Sequence, residues 1–249
     1  MNSVLAIYKQ KGETPLAALG RLRVEKPEYE KETLSYAGRL DPMAEGVMLV
    51  LVGDANKERE KYLNLDKIYI TQILCGVSTD THDLLGLVTE NKHMEINEKE
   101  FAKVVNSFVG EFSQKYPAYS SKTVGGTQLH ELSRKGEMFN IPEHKVFLHS
   151  AKVVAYKKLS GREALNNVLF SVDSVSGDFR QKEIKDRWKE VLRYQNTEFD
   201  LFELELSVSS GFYVRQFASD IGEKLRAPAL AYSIRRIKVA EWGIENCIL

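Results

Sequence analysis

The chain has 249 residues, of which 43% are hydrophobic and 28% are charged, and its formal net charge is zero. This composition excludes disordered and fibrous proteins and predicts one large globular domain with a sizeable core. The longest strongly apolar run, residues 47–52, is shorter than the roughly 20 residues that span a bilayer, and residues 1–8 are too short for a secretory signal. Cys75 and Cys247 have no metal-type spacing and fit a reducing compartment. We therefore expect a cytoplasmic protein.

Helical and strand patterns alternate along the chain without internal repeats, which predicts a mixed α and β architecture. Thr14 before a proline is typical of a helix start, and Asn97 predicts the cap of a second helix whose apolar face covers residues 101–108. Strict alternation over residues 202–208 predicts a strand with one buried face. Helical spacing of apolar residues begins again at Val214.

One aspartate occupies a glycine-bounded turn ahead of the longest apolar run. Residues 38–46 read Gly-Arg-Leu-Asp-Pro-Met-Ala-Glu-Gly, so that Asp41 directly precedes a proline. An Asp-Pro pair is commonly a turn or a helix cap, and the pattern alone favours that use. A lone carboxylate is also able to act as a nucleophile or as a base. Both interpretations of Asp41 remain open on the residue pattern.

Arg215 lies at a predicted junction between the strand that ends near Val208 and the helix that begins at Val214. A guanidinium at such a junction can pair with a carboxylate from elsewhere in the chain and hold it ionised in a water-poor pocket. An exposed arginine is the alternative, and the pattern alone favours it.

Two basic clusters occur in a chain that has no net charge. Residues 180–193 contain six basic and three acidic side chains, and Arg235, Arg236 and Lys238 lie near the end. Such runs are more often solvated faces than binding sites.

Asp80, His82 and Asp83 form a short run of potential metal ligands. Neighbouring residues of an extended chain point to opposite faces, and no companion cluster is evident. The run therefore does not predict a metal site.

Several segments together resemble the TruB family of pseudouridine synthases, which acts on tRNA. Gly-Arg-Leu-Asp-Pro at 38–42 resembles the active-site motif of this family, Lys-Ile-Tyr at 67–69 resembles its Lys-x-Tyr, and Gly-Phe-Tyr-Val-Arg at 211–215 resembles Gly-Thr-Tyr-Ile-Arg. The segments 9–14, 76–86 and 116–126 are also similar to family motifs. Each motif alone is weakly specific, but chance is a poor explanation for their common order.

The resemblance implies an α+β pseudouridine synthase fold, in which helices flank a mixed, mainly antiparallel sheet. It implies isomerisation of uridine to pseudouridine: the N-glycosidic bond breaks, the uracil turns in place, and its C5 joins the ribose C1′. The implied substrate is the T-loop uridine at position 55 of tRNA. No metal or other cofactor is implied, and we expect a monomer whose partner is the T-arm of tRNA.

The resemblance also implies roles for individual residues. Asp41 would attack the sugar carbon or remove a ribose proton, Tyr69 would stack on the uracil and help to take the C5 proton, and Arg215 would pair with Asp41. Contacts to the nucleotide or the RNA are expected from a second set of residues: Tyr36, Arg39, Tyr213, Lys122, Asp83 and Lys9.

Three features depart from the family pattern. Tyr36 stands where the family usually carries a histidine, which affects the placement of the RNA more than the chemistry. The resemblance ends without the small carboxy-terminal RNA-binding (PUA) domain of many relatives, so we expect 1–249 to be one catalytic domain. Residues 159–196 resemble an insertion that contains an amphipathic helix around Ile184 and Trp188. We expect an embellishment packed on the body of the domain, with a substitute RNA grip as the alternative.

Other functions remain compatible with the sequence. One is a tRNA-binding or folding protein without catalysis, which Tyr36 keeps open, and another is a synthase that modifies a different RNA uridine. A third is an N-glycosidase that releases free uracil, although paired catalytic carboxylates at a recognisable spacing are not evident.

Overall fold

The computed structural model describes residues 3–135, 140–177, 179–193 and 197–249. The strands are β1 (Ser3–Lys9), β2 (Leu34–Ala37), β3 (Glu45–Val52), β4 (Lys67–Cys75), β5 (Val77–Thr79), β6 (Val88–Asn91), β7 (Gly110–Lys115), β8 (Thr123–Val124), β9 (Thr127–Gln128), β10 (Glu143–Ser160), β11 (Glu198–Val208), β12 (Ala229–Val239) and β13 (Trp242–Gly243). The α-helices are α1 (Pro15–Glu25), α2 (Arg59–Leu63), α3 (Glu98–Asn106), α4 (Leu129–Lys135), α5 (Gly161–Ser174), α6 (Gln181–Val191) and α7 (Val214–Leu225). Short 3₁₀ turns cover Pro27–Tyr29, Gly53–Glu58 and Ile244–Asn246. No helix within the described ranges is long and apolar enough to cross a membrane.

A nine-stranded sheet forms the body of the described chain. Its strands lie in the order β1-β3-β12-β4-β11-β10-β7, with β2 added to β3 and β13 added to β12. The ladders are antiparallel except for the short pair between β12 and β3. Two hairpins, β5–β6 and β8–β9, lie outside this sheet. The α+β architecture with a mixed, mainly antiparallel sheet is therefore the predicted one.

Hydrophobic packing covers both faces of the central strands. Ile73 and Leu74 of β4 are adjacent and fully buried, yet they belong to different hydrophobic clusters, because successive side chains of a strand point to opposite faces. Helices α1, α3 and α7 contribute to the cluster around Ile73, whereas α5 and α6 contribute to the cluster around Leu74. The middle of the sheet is thus enclosed between helices.

The elements predicted from local signals are present. The Thr14 hydroxyl accepts a hydrogen bond from the N–H of Ala17 at 3.1 Å, and the Asn97 side chain caps α3. The predicted strand lies within β11, where Phe202 stacks on Phe101 of α3 with ring centroids 3.7 Å apart. The strand begins earlier than predicted, at Glu198, since its first half is buried on both faces and does not alternate.

The segment 159–196 contains the end of β10, helices α5 and α6, and their connection. Residues 178 and 194–196 lie outside the described residues. The predicted amphipathic helix is α6, in which Ile184 and Trp188 are buried. The indole N–H of Trp188 donates to the Gly86 carbonyl at 3.1 Å, which fastens α6 to the turn before β6. Both helices pack on the sheet.

The topology brings distant chain segments to one region of the sheet. Strands β11 and β12 both run antiparallel to β4, so they are parallel to each other and α7 is the crossover between them. Val208 at the end of β11 pairs with Lys67 at the start of β4. Arg236 of β12 pairs with Tyr69 of β4 and with Gly46 of β3. The segments that follow β11 and precede β3 and β4 therefore meet here, and they carry the predicted site residues.

Candidate active site

The turn that carries Asp41 lies between β2 and β3 and is held by donors from three other segments. The Gly12 N–H donates to the Pro42 carbonyl at 2.8 Å, and the Lys9 ammonium donates to the Ala44 carbonyl at 2.7 Å. Arg236 donates from Nε to the Val47 carbonyl at 2.7 Å and from Nη2 to the Gly38 carbonyl at 2.8 Å. The backbone on both sides of Asp41 is therefore fixed by buried cations.

Gly46 closes this turn and permits the close approach of β12. Its φ is +112°, and a Cβ at this position would collide with the backbone carbonyl of Arg236. A larger residue would displace the start of β3 and the turn that precedes it.

Arg215 is the second residue of α7, and its side chain is only 5% exposed. Its Nε donates to Oδ2 of Asp41 at 2.7 Å, across 174 positions of sequence. Its Nη1 donates to the Thr81 carbonyl at 2.8 Å, and its Nη2 donates to the Tyr119 carbonyl at 3.4 Å. The predicted pairing of Arg215 with Asp41 is thus present in the structure.

A second carboxylate, Asp83, lies near the same guanidinium nitrogen. Its Oδ2 is 3.5 Å from Nε of Arg215, and its Oδ1 accepts from the Thr81 hydroxyl and the Leu85 N–H, each at 2.8 Å. Burial raises the pKa of Asp83 to about 6, against the opposing effect of Arg215.

The two carboxylates differ in their exposure to the cavity. Asp83 is buried, with two hydrogen bonds on Oδ1 and Arg215 facing Oδ2, whereas the side chain of Asp41 is 35% exposed. Two carboxylates in unequal environments can take different roles. Asp41 is the carboxylate that is open to the cavity, and Asp83 lies buried against Arg215.

These residues line a cavity of about 920 Å³, which also includes Tyr69 and Tyr213. This volume lies within the range of small-ligand sites, about 300–1,000 Å³. Tyr69 is buried and is the third residue of β4. Burial, followed by the charge of Asp41, raises the pKa of Tyr213 to about 12, so its hydroxyl keeps its proton at neutral pH.

Gln114 of β7 fixes the backbone of Tyr213 and was not singled out from the sequence. Its Oε1 accepts from the Tyr213 N–H at 2.8 Å, and its Nε2 donates to the Tyr213 carbonyl at 3.2 Å. Gln114 is buried, so both halves of its amide are used where water is scarce. A polar residue on a strand gives no signal of this role, because the partner is 99 positions away.

The remaining wall of the cavity is more exposed and carries cations. Arg39, Lys122 and Arg134 are exposed and line the cavity. The Lys122 ammonium lies 5.0 Å from the centroid of the Tyr116 ring. Phe179 and Arg180, from the connection between α5 and α6, also line it.

The structure does not bring two of the predicted contact residues, Lys9 and Tyr36, to the lining of the cavity. Lys9 is fully buried and donates to the carbonyls of Gln10 and Ala44, so it supports the turn and cannot reach RNA phosphate. Tyr36 lies on β2, partly buried against the core, outside the set of described residues that line the cavity. Asp83 lines the cavity but is buried, and its carboxylate faces Arg215.

Arg236 belongs to a basic cluster for which the sequence favours a solvated face, but it is buried between β3 and the turn of Asp41. The sequence gives no sign of this, since neighbouring cations at 235 and 238 share its chemistry. Only the pairing of β12 with β3 determines that position 236 points inward.

Within the described residues, no three side chains of His, Cys, Asp or Glu come together as a metal site would require. Asp80 and Asp83 instead bind arginines: Asp80 is 2.8 Å from Nη1 of Arg180, and Asp83 faces Arg215.

The sequence profile described as TruB family pseudouridylate synthase (N terminal domain) matches residues 26–180, which is more than half of the chain. The chain belongs to the TruB family. The predicted family, and with it the enzyme class, is confirmed. The matched region includes Asp41, Tyr69, Asp83 and Lys122, whereas Arg215 lies beyond it.

Curated relatives from the TruB family match the whole chain. The tRNA pseudouridine synthase B of Aquifex aeolicus (strain VF5) is 29% identical over 248 residues, covering 100% of this chain and 72% of the relative. The tRNA pseudouridine synthase B of Thermosipho melanesiensis is 29% identical over 249 residues, covering 100% of this chain and 67% of the relative.

Solved structures confirm the predicted pseudouridine synthase fold. A chain from the structure of an H/ACA RNP bound to a substrate RNA containing 2′-deoxyuridine gives a TM-score of 0.57 at 14% identity, covering 96% of this chain. A chain from a Cbf5-Nop10-Gar1 complex gives a TM-score of 0.57 at 16% identity, covering 95% of this chain. This TruB-family chain spans 48% of the length of each of those chains.

Proposed function

We propose that this chain isomerises uridine to pseudouridine in tRNA, at the T-loop uridine, with Asp41 as the catalytic carboxylate. The observation that carries the proposal is the 2.7 Å contact between Arg215 Nε and Asp41 Oδ2 at the wall of the cavity. The buried guanidinium donates directly to this carboxylate, and a carboxylate is able to act as a nucleophile or to remove a proton. The curated relatives named tRNA pseudouridine synthase B support tRNA as the substrate.

Asp41 can act because its turn is rigid and its carboxylate is partly exposed. Oδ2 binds Arg215, while a third of the side chain remains open to the cavity that the uridine would enter. A rigid nucleophile that does not need to reorganise retains most of the advantage of proximity. The glycosidic bond between C1′ and N1 breaks with its electron pair on the uracil, the uracil turns, and C5 forms the new bond to C1′. The C5 proton then passes to a base while N1 takes up a proton, so the isomerisation gains and loses no atoms.

Tyr69 is the aromatic side chain that we assign to the uracil. It lies on β4, held by its neighbours β11 and β12, so its ring is presented by a rigid strand. Stacking on this ring would compensate for the stacking that the base loses when it leaves the RNA. Tyr213 supplies a protonated hydroxyl on the same cavity.

The exposed cations Arg39, Lys122 and Arg134 are placed to contact RNA phosphates. Three local charges are sufficient for a salt-dependent contact even though the chain has no net charge. The nine-stranded sheet, which includes strands from both ends of the described chain, supports the proposal that the chain forms one catalytic domain, with 159–196 as an insertion packed on it.

The decisive experiment measures tritium release from C5-labelled uridine in a T-arm RNA. The expected result is release with the wild-type protein and none with Asp41→Asn. Asp186→Asn is a matched control, because Asp186 is an exposed carboxylate on α6, and this variant should remain active. An RNA with cytidine in place of the T-loop uridine, and with its remaining uridines labelled, should release no tritium.

Chromatography of the digested RNA separates the alternatives. Pseudouridine in the digest supports isomerisation, whereas free uracil indicates an N-glycosidase. Binding of the T-arm RNA without either product would contradict the proposed activity and favour a tRNA-binding protein.

A further inference from the structure

Arg215 depends on two backbone carbonyls that come from separate parts of the chain. The Thr81 carbonyl belongs to the turn between β5 and β6, and the Tyr119 carbonyl belongs to the segment between β7 and β8. Neither carbonyl lies in a regular strand or helix. The direction of the guanidinium therefore depends on how these two segments are held relative to each other.

The segment that contains Tyr119 is fastened mainly to α4. The Ser133 hydroxyl donates to the Ala118 carbonyl at 2.8 Å, and the His130 N–H donates to the Ser120 carbonyl at 3.1 Å. The turn that contains Thr81 is fastened to β12 instead, since the Ala231 N–H donates to the His82 carbonyl at 2.9 Å. The two anchors belong to different parts of the fold.

Arg180 bridges these two segments directly beside the Arg215 acceptors. Its Nη1 donates to Oδ2 of Asp80 at 2.8 Å, and its guanidinium carbon lies 4.9 Å from the centroid of the Tyr119 ring. Tyr119 is itself one of the two residues whose carbonyls accept from Arg215. Asp80 directly precedes the other one, Thr81. Asp80 is itself fixed, because its Oδ1 accepts from the Leu87 N–H at 2.8 Å.

The arm that presents Arg180 is rigid. Arg180 is the N-cap of α6 with a left-handed φ of 60°, and its carbonyl accepts the first helical hydrogen bond from Ile184 at 3.0 Å. Trp188, two turns later, is fully buried and bonded to Gly86. The helix therefore places Arg180 against the same turn that supplies the Thr81 carbonyl.

We propose that Arg180 is a positioning residue for the Asp41–Arg215 pair, acting by joining the 80–83 turn to the Tyr119 segment. The inference deepens the proposed function and rests on it, since the pair that it positions is the proposed catalytic one. It gives the α5–α6 segment a role in the site itself. The ion pair is partly exposed, with side chains 26% and 21% accessible, so its loss should alter local geometry without unfolding the chain.

The test compares Arg180→Ala, Arg180→Lys and the matched control Lys182→Ala, which removes an exposed cation two positions away. For Arg180→Ala we expect the single-turnover rate at saturating T-arm RNA to fall roughly tenfold, because small displacements of catalytic groups are costly. The Kd for RNA should stay within about twofold of the wild type, with an unchanged salt dependence. Arg180→Lys should recover part of the rate through the ion pair, and Lys182→Ala should behave as the wild type.

Two results would overturn the inference. A raised Kd with an unchanged saturating rate would make Arg180 a phosphate contact, and an unchanged rate and Kd would leave it without a role in the site. A wild-type protein that forms no pseudouridine would instead contradict the proposed function. In that event amide hydrogen exchange still tests whether Arg180 holds the two segments. Residues 79–85 and 117–122 should exchange faster in Arg180→Ala than in Lys182→Ala. Equal exchange in the two variants would overturn the positioning role.

Discussion

The cavity has two walls whose cations lie in opposite environments. On one wall lie the buried cations Arg215 and Arg236, and Lys9 is buried next to it, bonded to the lining residue Ala44. Each of the three donates to at least two oxygen atoms of the protein. On the other wall the exposed cations Arg39, Lys122 and Arg134 face solvent. A charge that is buried without partners is too costly to persist, whereas a solvated charge is free to exchange water for a ligand. The buried cations therefore hold the site, and the exposed cations are available to the RNA.

The buried cations share one target, the backbone around Asp41 and its guanidinium partner. Lys9 and Arg236 bind carbonyls on either side of Asp41, and Arg215 binds its carboxylate. Changes to these residues should therefore affect the rate of the chemical step. Changes to the exposed cations should affect affinity instead.

The largest effect is expected for Arg215→Met. Removal of the guanidinium takes away the partner of Asp41 and leaves Asp83 buried without its counter-charge, so the pKa of Asp83 should rise further. We expect the single-turnover rate to fall by about 10²–10³, the range found when a preorganised donor is removed from an active site. Rapid-quench kinetics at saturating T-arm RNA measures it.

Arg215→Lys is the informative companion, because lysine keeps the charge but cannot donate in a fork to Asp41, Thr81 and Tyr119 together. Its rate should lie closer to that of the methionine variant than to the wild type. A lysine variant with the wild-type rate would show that charge alone suffices and that the fork geometry has no role.

Lys9→Met should separate rate from stability. Burial lowers the pKa of Lys9 to about 8, so the folded state binds fewer protons here than the unfolded state between about pH 8 and pH 10.5, and this group's contribution to stability rises with pH in that window. Methionine removes the buried charge but also the donor to Ala44, and these effects oppose each other. We expect the free energy of unfolding to change by no more than about 1 kcal/mol, while the rate falls roughly tenfold because the turn of Asp41 loses a support.

Chemical denaturation and single-turnover kinetics on the same preparation check this split. Lys122→Met is the matched control, since it removes an exposed lysine from the same cavity and should not change the unfolding free energy. A Lys9 variant that keeps the wild-type rate would mean that the turn holds its shape without this cation.

Alanine substitutions of Arg39, Lys122 and Arg134 should have smaller effects, confined to binding. Each phosphate contact that is lost should weaken the Kd for T-arm RNA by a few-fold and reduce the slope of log K against log salt by about 0.7–0.9. The rate at saturating RNA should remain that of the wild type. Filter binding at several salt concentrations measures the slope, and a variant with unchanged slope would exclude that residue from the RNA contact.

The sequence predicts local elements of the fold better than it predicts contacts between distant residues of the site. The caps at Thr14 and Asn97 and the alternation in β11 are local signals, and the corresponding elements are present. The Asp41–Arg215 pair is different, because the residue pattern alone favoured a cap for Asp41 and solvent exposure for Arg215. Only the family resemblance predicted that residues 174 positions apart would meet.

The placements that the sequence pattern did not predict have a common physical origin. Lys9 and Arg236 carry the chemistry of surface residues, and their burial is determined by strand pairing, which no local pattern encodes. Gln114 and Arg180 were missed for the same reason, since their partners lie 99 and 100 positions away. Tyr36 was assigned to the nucleotide from its motif position, yet β2 places it outside the cavity.

The smallest effect is expected for Asp220→Asn, which tests whether the buried polar contacts around Gln114 extend to Asp220. Asp220 of α7 accepts from Gln216 at 2.8 Å and lies 3.5 Å from Nε2 of Gln114, the residue that holds the Tyr213 backbone. Burial raises its pKa to about 6 from a usual value of 3.8, so between these values the folded state binds more protons than the unfolded state. Its contribution to stability is therefore complete below about pH 4 and is lost as the pH rises through 6.

The asparagine variant cannot ionise, so its unfolding free energy should lack this fall between pH 4 and pH 6. At pH 7 we expect it to be more stable than the wild type by no more than about 1 kcal/mol, because the amide keeps only part of the hydrogen bonding to Gln216. Urea unfolding from pH 4 to pH 7 measures the difference, and Asp83 contributes equally to both proteins. Asp186→Asn should retain the wild-type pH profile, since that carboxylate is exposed. If Asp220→Asn follows the wild-type profile as well, the charge of Asp220 is solvated and the buried polar contacts end at Gln114.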